Sequence, residues 1–260
     1  MRFWEPTIGC TPCSTGCLIC SSARTLGSRG ERPDLVDRIG GAYRFNGKVC
    51  LNEAAFREVR HFRHGEEIFV CGRSDIFHHD VPSEYIARII ACSRQRPDCT
   101  FFAITKRPQR FREFMEFPGN FWVSISVENQ AAADLRIPHL TGVRGKRIIS
   151  AKPLLGGINF GKHWDNIDMI IVGGEYGSKA RPMFEEWPRH IRDQCIAAGR
   201  PFSFHNWGLW LPGEGRITRW VNDVGQIHRA VISSSRPMHM HEEGEDGSCL
   251  DGVIWDQYPA

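Results

Sequence analysis

Four cysteines lie within eleven residues near the start of the chain, at Cys10, Cys13, Cys17 and Cys20. Glycines, a proline and hydroxyl residues surround them, so the segment 9–20 is predicted to be a tight loop. Thiolates at this density are ligands for soft metal centres, and the alternatives are an iron–sulfur cluster, a zinc ion or a pair of disulfides. This loop is therefore the strongest candidate for chemistry in the sequence.

The spacing of the thiols separates these alternatives. A structural zinc site uses two C-x2-C pairs a dozen or more residues apart, whereas only three residues part Cys13 from Cys17, so four ligands here would be cramped. Disulfides are disfavoured because the N-terminal residues do not resemble a signal peptide for an oxidising compartment. What remains is a C-x3-C-x2-C set of three thiolates, which would leave the fourth iron of a 4Fe–4S cluster open to chemistry.

The pattern formed by Cys13, Cys17 and Cys20 resembles the signature of radical S-adenosylmethionine (SAM) enzymes. A more extensive resemblance, beginning with the string 3–10 and covering nearly the whole chain, is to a phage-encoded family of radical-SAM-like proteins formerly of unknown function. That family's spacing is C-x6-C-x2-C. The resemblance therefore implies that Cys10, Cys17 and Cys20 are the metal ligands, with Cys13 as the rival of Cys10.

The resemblance implies an enzyme with a 4Fe–4S cluster and SAM as cofactors. In the superfamily, SAM chelates the open iron and is reductively cleaved to a 5′-deoxyadenosyl radical, which abstracts hydrogen from a substrate. The phage setting implies a modified nucleobase in DNA as the substrate, altered by a radical rearrangement (isomerisation) or another modification of a hypermodified pyrimidine. An electron donor such as flavodoxin or ferredoxin, and a cytoplasmic location in an infected bacterial cell, are implied with it.

A zinc-stapled nucleic-acid-binding protein without catalysis is the alternative from another class. Zinc would then sit on the four cysteines of the loop, and loops bearing arginine and tryptophan would recognise the nucleic acid. Ordered polar residues at successive strand ends favour the enzyme, because a binding module does not require them.

Composition sets broad limits. The chain has 260 residues, 41% of them hydrophobic, which is ample for a buried core. Its net charge of +3 is compatible with a nucleic-acid partner but is too small to argue for one. No run of about 18 apolar residues predicts a membrane span, so no membrane partner is expected.

Short apolar runs alternate with helical patterns from residue 67 onward. The predicted strands cover 67–72, 100–105, 121–127, 147–150, 168–173 and 201–204, and the predicted helices cover 83–91, 108–114, 131–135 and 185–198. Earlier in the chain we expect a polar excursion in the first part of 21–65, a weak hairpin at 43–49 that turns at Asn46 and Gly47, and a helix at 52–60.

Apolar strands that alternate with helices predict a parallel sheet covered by helices. A first strand before Cys10 raises the count to six or seven βα units. The predicted fold class is therefore α/β, with a partial (β/α)6-7 TIM-like barrel of the type that radical SAM enzymes use. We expect the barrel to occupy 1–208 and a C-terminal extension, 209–260, to pack on it.

Residues just after each strand are the site candidates, because chemistry in such folds lies at the carboxyl ends of the strands. Gly72, Ser74 and Asp75 follow the second strand. The resemblance assigns them to the amino group of SAM, and a helix N-cap is the alternative. Lys106 and Arg107 follow the third strand, where two cations are predicted to pair with the SAM carboxylate or a substrate phosphate.

The fourth strand carries a polar stripe. Ser124, Ser126 and Glu128 alternate along the chain and are therefore predicted to share one face. Ribose hydroxyls of SAM are the partners we expect for them, and a water-filled barrel interior is the alternative.

Three residues after later strands are the catalytic candidates. Lys152 follows the fifth strand, where the resembling family has glutamate, and a buried lysine can act as an acid or base. Glu175, after the sixth strand, is expected to point into the cavity and is one predicted partner of Lys152, with an anionic substrate group as the other. His205 follows the last strand, at a position where the family also differs.

Overall fold

The computed structural model describes residues 1–177, 179–212, 220–221, 227–228, 238–240 and 248–259. The chain divides into two compact units. The first unit contains Met1–Ser126 and Arg136–Ile148, and the second contains Val127–Leu135 and Ile149–Ala260.

The strands follow one another along the chain with helices between most of the longer ones. The strands are β1 (Arg2–Trp4), β2 (Thr7–Ile8), β3 (Val36–Ile39), β4 (Ala42–Phe45), β5 (Cys50–Leu51), β6 (Glu67–Val70), β7 (Thr100–Thr105), β8 (Phe121–Ser126), β9 (Arg147–Ala151), β10 (Met169–Gly173), β11 (Phe202–Asn206), β12 (Trp210–Pro212), β13 (Trp220–Val221), β14 (Ile227–His228), β15 (Met238–Met240), β16 (Cys249–Leu250) and β17 (Val253–Ile254).

The α-helices are α1 (Ser21–Arg29), α2 (Ser83–Gln95), α3 (Gln130–Arg136) and α4 (Glu186–Ala198). Shorter 3₁₀ helices occupy Thr15–Cys17, Pro33–Leu35, Glu53–His61, Pro108–Glu113, Ile137–Leu140 and Gly161–Asn166. Among the described residues, no helix is both long and apolar enough to cross a membrane.

Seven strands form the main sheet in the order β1-β6-β7-β8-β9-β10-β11. The strands pair in parallel, as the registers of β1 with β6, β6 with β7, β7 with β8 and β10 with β11 show. Helical segments connect each strand from β6 to β11 with the next, which is the arrangement that parallel pairing requires. The predicted α/β fold class, a partial (β/α)6-7 TIM-like barrel, is confirmed.

An aromatic cluster holds the core of the first unit. Trp4 is fully buried, packs edge-on against Phe56, Phe62 and Phe101, and donates its indole N–H to the carbonyl of Ala55 at 2.9 Å. The hydrogen bond satisfies the polar tip of a side chain that is otherwise apolar. The cluster thereby fixes β1, which leads into the thiol loop.

The second unit is organised around α4 and the strand that follows it. α4 buries Ile191 and Cys195 and ends at Gly199, whose φ of +61° gives the helix a left-handed cap. The hairpin of β16 and β17 contacts β11, where the backbone N–H of Phe204 donates to the carbonyl of Trp255 at 2.8 Å. Much of the predicted extension lies outside the described residues, and its boundary at 208 stays a prediction.

Two local predictions for the first 65 residues are wrong, and a third, the helix near residues 52–60, is confirmed in position but not in type. The polar excursion contains α1, because Ala23 and Leu26 give this otherwise polar segment a buried face. The hairpin is formed by β3 and β4 and turns at Gly40 and Gly41, where both residues have positive φ. The segment predicted as a helix at 52–60 is a 3₁₀ helix, Glu53–His61.

Candidate functional site

The thiol loop, residues 9–20, begins at a glycine that no other residue could replace without strain. Gly9 has a φ of +100°, and a side chain there would collide with the carbonyl oxygen of Lys48. Its N–H donates to the carbonyl of Arg73 at 3.0 Å, and its carbonyl accepts the hydroxyl of Ser74 at 2.6 Å. The start of the loop is thus fastened to the residues that follow β6.

A buried ion pair anchors the loop from the other side. The guanidinium of Arg107 lies 3.1 Å from the Asp75 carboxylate, and both side chains are less than a tenth exposed. The same guanidinium donates to the carbonyl of Thr11 and lies 3.5 Å from the Cys10 sulfur. Arg107 therefore bridges a buried carboxylate and the thiol loop.

Asp75 is fully engaged by groups of the first unit. Its carboxylate accepts hydrogen bonds from the Thr105 hydroxyl at 2.8 Å and from the backbone N–H groups of Phe77 and Lys106 at 3.0 and 3.2 Å. With Arg107, four groups donate to it. Such a set of donors stabilises a buried carboxylate, and the contacts describe an anchor for the loop. The predicted contact of Asp75 with SAM stays a prediction.

The loop gathers its four thiols around Cys17. Cys17 interacts electrostatically with both Cys10 and Cys20, and it forms a hydrogen bond with Cys13. Burial raises the pKa of Cys10 to about 12 and also raises that of Cys20. The hydrogen bond lowers the pKa of Cys17 and raises that of Cys13, so Cys17 is the first of the two thiols to lose its proton.

These thiols fit a metal–sulfur centre. All ten cysteines are among the described residues, and every one is free rather than disulfide-bonded. Cys10 and Cys20 pack against an apolar cluster of Ala23, Leu26, Val36 and Phe45, which limits their access to water. The positive charge of Lys106 lowers the pKa of Cys17 and opposes the rise at Cys20, which favours thiolates. The choice between Cys10 and Cys13 as the third ligand stays a prediction.

The remaining cofactor candidates of the first unit have defined surroundings. Lys106 donates from Nζ to the Ser126 hydroxyl at 2.9 Å. The buried Ser124 hydroxyl has no hydrogen-bond partner among the described residues. Gly72 packs so closely on Phe3 that a side chain there would displace the ring, and its carbonyl accepts the Ser22 hydroxyl at 2.6 Å. Their assignment to SAM is not tested by these contacts.

Glu128 lies in the second unit. It is 2% exposed, and its backbone carbonyl accepts the N–H of Leu155 at 2.7 Å. Its predicted contact with the ribose of SAM stays a prediction.

In the second unit, Lys152 and His205 are brought together. Lys152 follows the end of β9, and His205 lies near the end of β11. Lys152 Nζ is 3.0 Å from His205 Nδ1. Burial lowers the pKa of Lys152 to about 8. Burial and, second, the charge of Lys152 lower the pKa of His205. Both groups of this pair are therefore shifted toward their neutral forms.

Glu175 does not pair with Lys152, so that part of the sequence prediction is wrong. Its carboxylate is buried and accepts hydrogen bonds from the Arg181 guanidinium at 2.6 and 2.8 Å, as well as from the backbone N–H of Arg181 at 3.0 Å. A bidentate contact with arginine is stronger and more directional than a contact with lysine. The nearby Arg181 therefore holds the carboxylate.

His78 is a residue whose role the sequence did not reveal. Its ring is fully buried, and its Nε2 lies 2.8 Å from the Thr11 hydroxyl of the thiol loop. Burial lowers its pKa to about 4, so the ring is neutral. The sequence could not reveal this burial, because two adjacent histidines, His78 and His79, give no signal for which ring faces inward.

The chain matches the model of one protein family over residues 1–259, and that family is described as "Protein of unknown function (DUF5131)". No curated protein matches the sequence. A solved structure described as "Spore photoproduct lyase complexed with dinucleoside spore photoproduct" is similar with a TM-score of 0.44 and 13% identity. The match covers 74% of this chain and 59% of that one, and we draw no conclusion about function from it.

Proposed function

The chain belongs to the family described as "Protein of unknown function (DUF5131)", and we propose that it is a radical SAM enzyme that binds a 4Fe–4S cluster on its thiol loop. The observation that carries this proposal is the grouping of four free thiols around Cys17 in the first unit. Cations beside the thiols, from Lys106 and Arg107, offset the negative charge that thiolate ligands bring.

Cys10, Cys17 and Cys20 would be the three ligands of the cluster, and Cys13 is the alternative to Cys10 as the third ligand. When bound, the cluster and SAM supply a reductive cleavage that yields a 5′-deoxyadenosyl radical. Residues outside the cysteines hold the thiol loop in place. Arg107 and His78 fix the loop at Thr11, and Gly9 and Ser74 fix its first turn.

The groups proposed to bind SAM are Lys106 and the polar residues near it. Lys106 would face the carboxylate of the methionine part, since its ammonium is already held by Ser126. The unpartnered Ser124 hydroxyl would bond a hydroxyl of the ribose. Gly72, Ser74 and Asp75 remain candidates for the amino group, and Glu128 for the ribose.

A modified nucleobase in DNA is the substrate we propose, in the cytoplasm of an infected bacterial cell and with flavodoxin or ferredoxin as electron donor. Exposed arginines of the first unit, Arg24, Arg29 and Arg38, are available for phosphates. The base would be single-stranded or flipped out of the duplex. Lys152 and His205 are the candidates for catalytic contacts with it, and Glu175 would act by holding Arg181.

SAM cleavage tests the proposal. Protein reconstituted with iron and sulfide under anaerobic conditions, then reduced and given SAM, should form 5′-deoxyadenosine, measured by chromatography and mass spectrometry. Cys17→Ala should form none, whereas Cys50→Ala, which removes a half-buried thiol outside the loop, should behave like the wild type. A colourless protein that holds zinc and forms no product would favour the nucleic-acid-binding alternative.

A second assay addresses the substrate. The reduced protein is incubated with SAM and DNA that carries candidate hypermodified pyrimidines, and the DNA is digested to nucleosides. An altered nucleoside in the mass spectrum that depends on SAM and Cys17 supports the assignment. Product from SAM without any altered nucleoside, across the DNA modifications tried, would contradict a DNA base as the substrate while leaving the radical chemistry intact.

A further inference from the structure

A short chain of hydrogen bonds fixes the orientation of one imidazole in the second unit. The backbone N–H of Gly208 donates to Asn206 Oδ1 at 3.1 Å. The oxygen of this amide is thereby engaged, so its Nδ2 is the atom that contacts His205 Nδ1. An amide NH₂ group only donates hydrogen bonds, which makes His205 Nδ1 an acceptor.

The amine of Lys152 approaches the same nitrogen. Lys152 Nζ lies 3.0 Å from His205 Nδ1 and 3.4 Å from Nε2. The Lys152 amine can donate an N–H to this nitrogen in its neutral form as well as in its protonated form, so two donor groups face one ring nitrogen. The arrangement is satisfied by a neutral imidazole that carries its proton on Nε2. The pair can therefore pass a proton from the amine to the ring.

Lys152 differs from most lysines in its surroundings. Among the described residues it forms no ion pair with a carboxylate, and its stem packs 3.2 Å from the position where a side chain on Gly173 would begin. Burial without a counter-charge favours the neutral amine, which is the nucleophilic form. The other charged group that acts here is Asp256, which influences His205.

We propose that Lys152 is a nucleophilic amine that captures the carbonyl carbon of a small aldehyde or ketone as an imine, with His205 as its proton acceptor. In the first step Nζ bonds to the carbonyl carbon, and one Nζ proton passes to His205 and from His205 to the former carbonyl oxygen, which gives a carbinolamine. In the second step the other Nζ proton passes by the same route to the hydroxyl group, which leaves as water while the C=N bond forms. The overall change is the loss of one water, with no oxidation or reduction.

This activity goes beyond the proposed radical chemistry and does not require it. Both residues lie in the second unit, and imine formation needs neither iron nor SAM. A failure of cluster binding and a failure of carbonyl capture are therefore distinguishable on the same preparation.

Reductive trapping tests the proposal on the full chain. The protein is incubated with propionaldehyde and sodium cyanoborohydride between pH 6 and pH 10, and the labelled lysines are quantified by peptide mass spectrometry. Exposed Lys162 is the internal reference. Near neutral pH we expect Lys152 to be labelled on the order of a hundredfold faster than Lys162, because far more of it is unprotonated. A Lys152 rate that never exceeds that of Lys162 would overturn the proposal.

Two variants sharpen the test. Lys152→Arg should lose the adduct at this site, while labelling of Lys162 and the thermal unfolding midpoint stay unchanged. His205→Gln should slow labelling of Lys152 severalfold and keep its pH midpoint, because the proton acceptor is lost while the burial of the amine remains. A His205→Gln rate equal to that of the wild type would contradict the role given to His205, and Lys162→Arg serves as the matched control.

Discussion

A charged group in the first unit and a charged group in the second differ in how many partners they have. In the first unit, the Asp75 carboxylate receives four donors and its partner Arg107 reaches the thiol loop. In the second, Lys152 has no carboxylate partner among the described residues and contacts only the imidazole of His205. A charge with many partners fixes structure, whereas a charge with few partners exchanges its proton readily. We therefore assign positioning to the first network and proton transfer to the second.

Glu175 and Arg181 show that the second unit also contains a fully engaged ion pair. Their contacts are bidentate, and both side chains are less than a tenth exposed. The number of partners is thus a property of each pair rather than of each unit. Substitutions at these residues distinguish the effect of hydrogen-bonding partners from the effect of burial on stability and protonation.

The largest effect is expected for Asp75→Ala. The substitution leaves Arg107 buried without its carboxylate, and breaking such a pair costs about 3–5 kcal/mol of unfolding free energy. Chemical denaturation measures the loss. Asp34→Ala, which removes the carboxylate of the exposed Arg32–Asp34 pair, is the control and should leave the unfolding midpoint nearly unchanged. Equal effects of the two changes would show that the buried pair has no special role.

Gly9→Ala should have the next largest effect. The new methyl group meets the carbonyl of Lys48 and also forces alanine into a left-handed backbone, which together cost about 2–4 kcal/mol. Gly65→Ala is the matched control, because its φ is +72° but nothing lies within 4 Å of the added carbon. Its unfolding free energy should fall by about 1 kcal/mol, because only the left-handed backbone conformation disfavours alanine there. The same loss in both variants would refute the close contact that starts the thiol loop.

Lys152→Met should give a smaller, pH-dependent effect of opposite sign. The pKa of Lys152 is lowered to about 8 in the folded chain, so protonation disfavours folding below that pH. The penalty declines as the pH rises from about 8 to the ordinary lysine value near 10.4, above which both states are neutral. The variant should therefore be more stable than the wild type by about 2 kcal/mol at pH 7, less than the roughly 3 kcal/mol of the full shift because the side chain is only half-buried. The difference should vanish above about pH 10. A constant difference across this range would contradict the lowered pKa.

The strands of the main sheet were predictable from sequence because each is a short apolar run between turn residues. β7 was predicted at its observed bounds, and α4 was predicted to within one residue of its observed start and at its observed end. Helix α1 was missed because only Ala23 and Leu26 of its nine residues are fully buried, which is too few to mark a helical face. The hairpin turn was misplaced because Asn46 and Gly47 resemble a turn, whereas the chain uses the flexible pair Gly40 and Gly41.

The candidate site was predictable only where spacing carries information. The cysteine loop and the end of each strand could be located, since thiol density and strand order are visible along the chain. The partners of charged groups were less accessible. Arg181 forms a bidentate contact with Glu175, six residues earlier in the chain. Arg107 donates a hydrogen bond to the carbonyl of Thr11, which is far away in sequence. Such choices depend on geometry that periodicity does not encode.

The most direct test of the central claim is the iron and sulfide content of the anaerobically reconstituted protein and its single cysteine variants. The account predicts about four irons and four sulfides per chain for the wild type and for Cys13→Ala, with loss of both in Cys10→Ala, Cys17→Ala and Cys20→Ala. Loss in Cys13→Ala with retention in Cys10→Ala would reverse the choice of the third ligand. A Cys17→Ala protein that keeps its full iron content would contradict the assignment of the thiol loop.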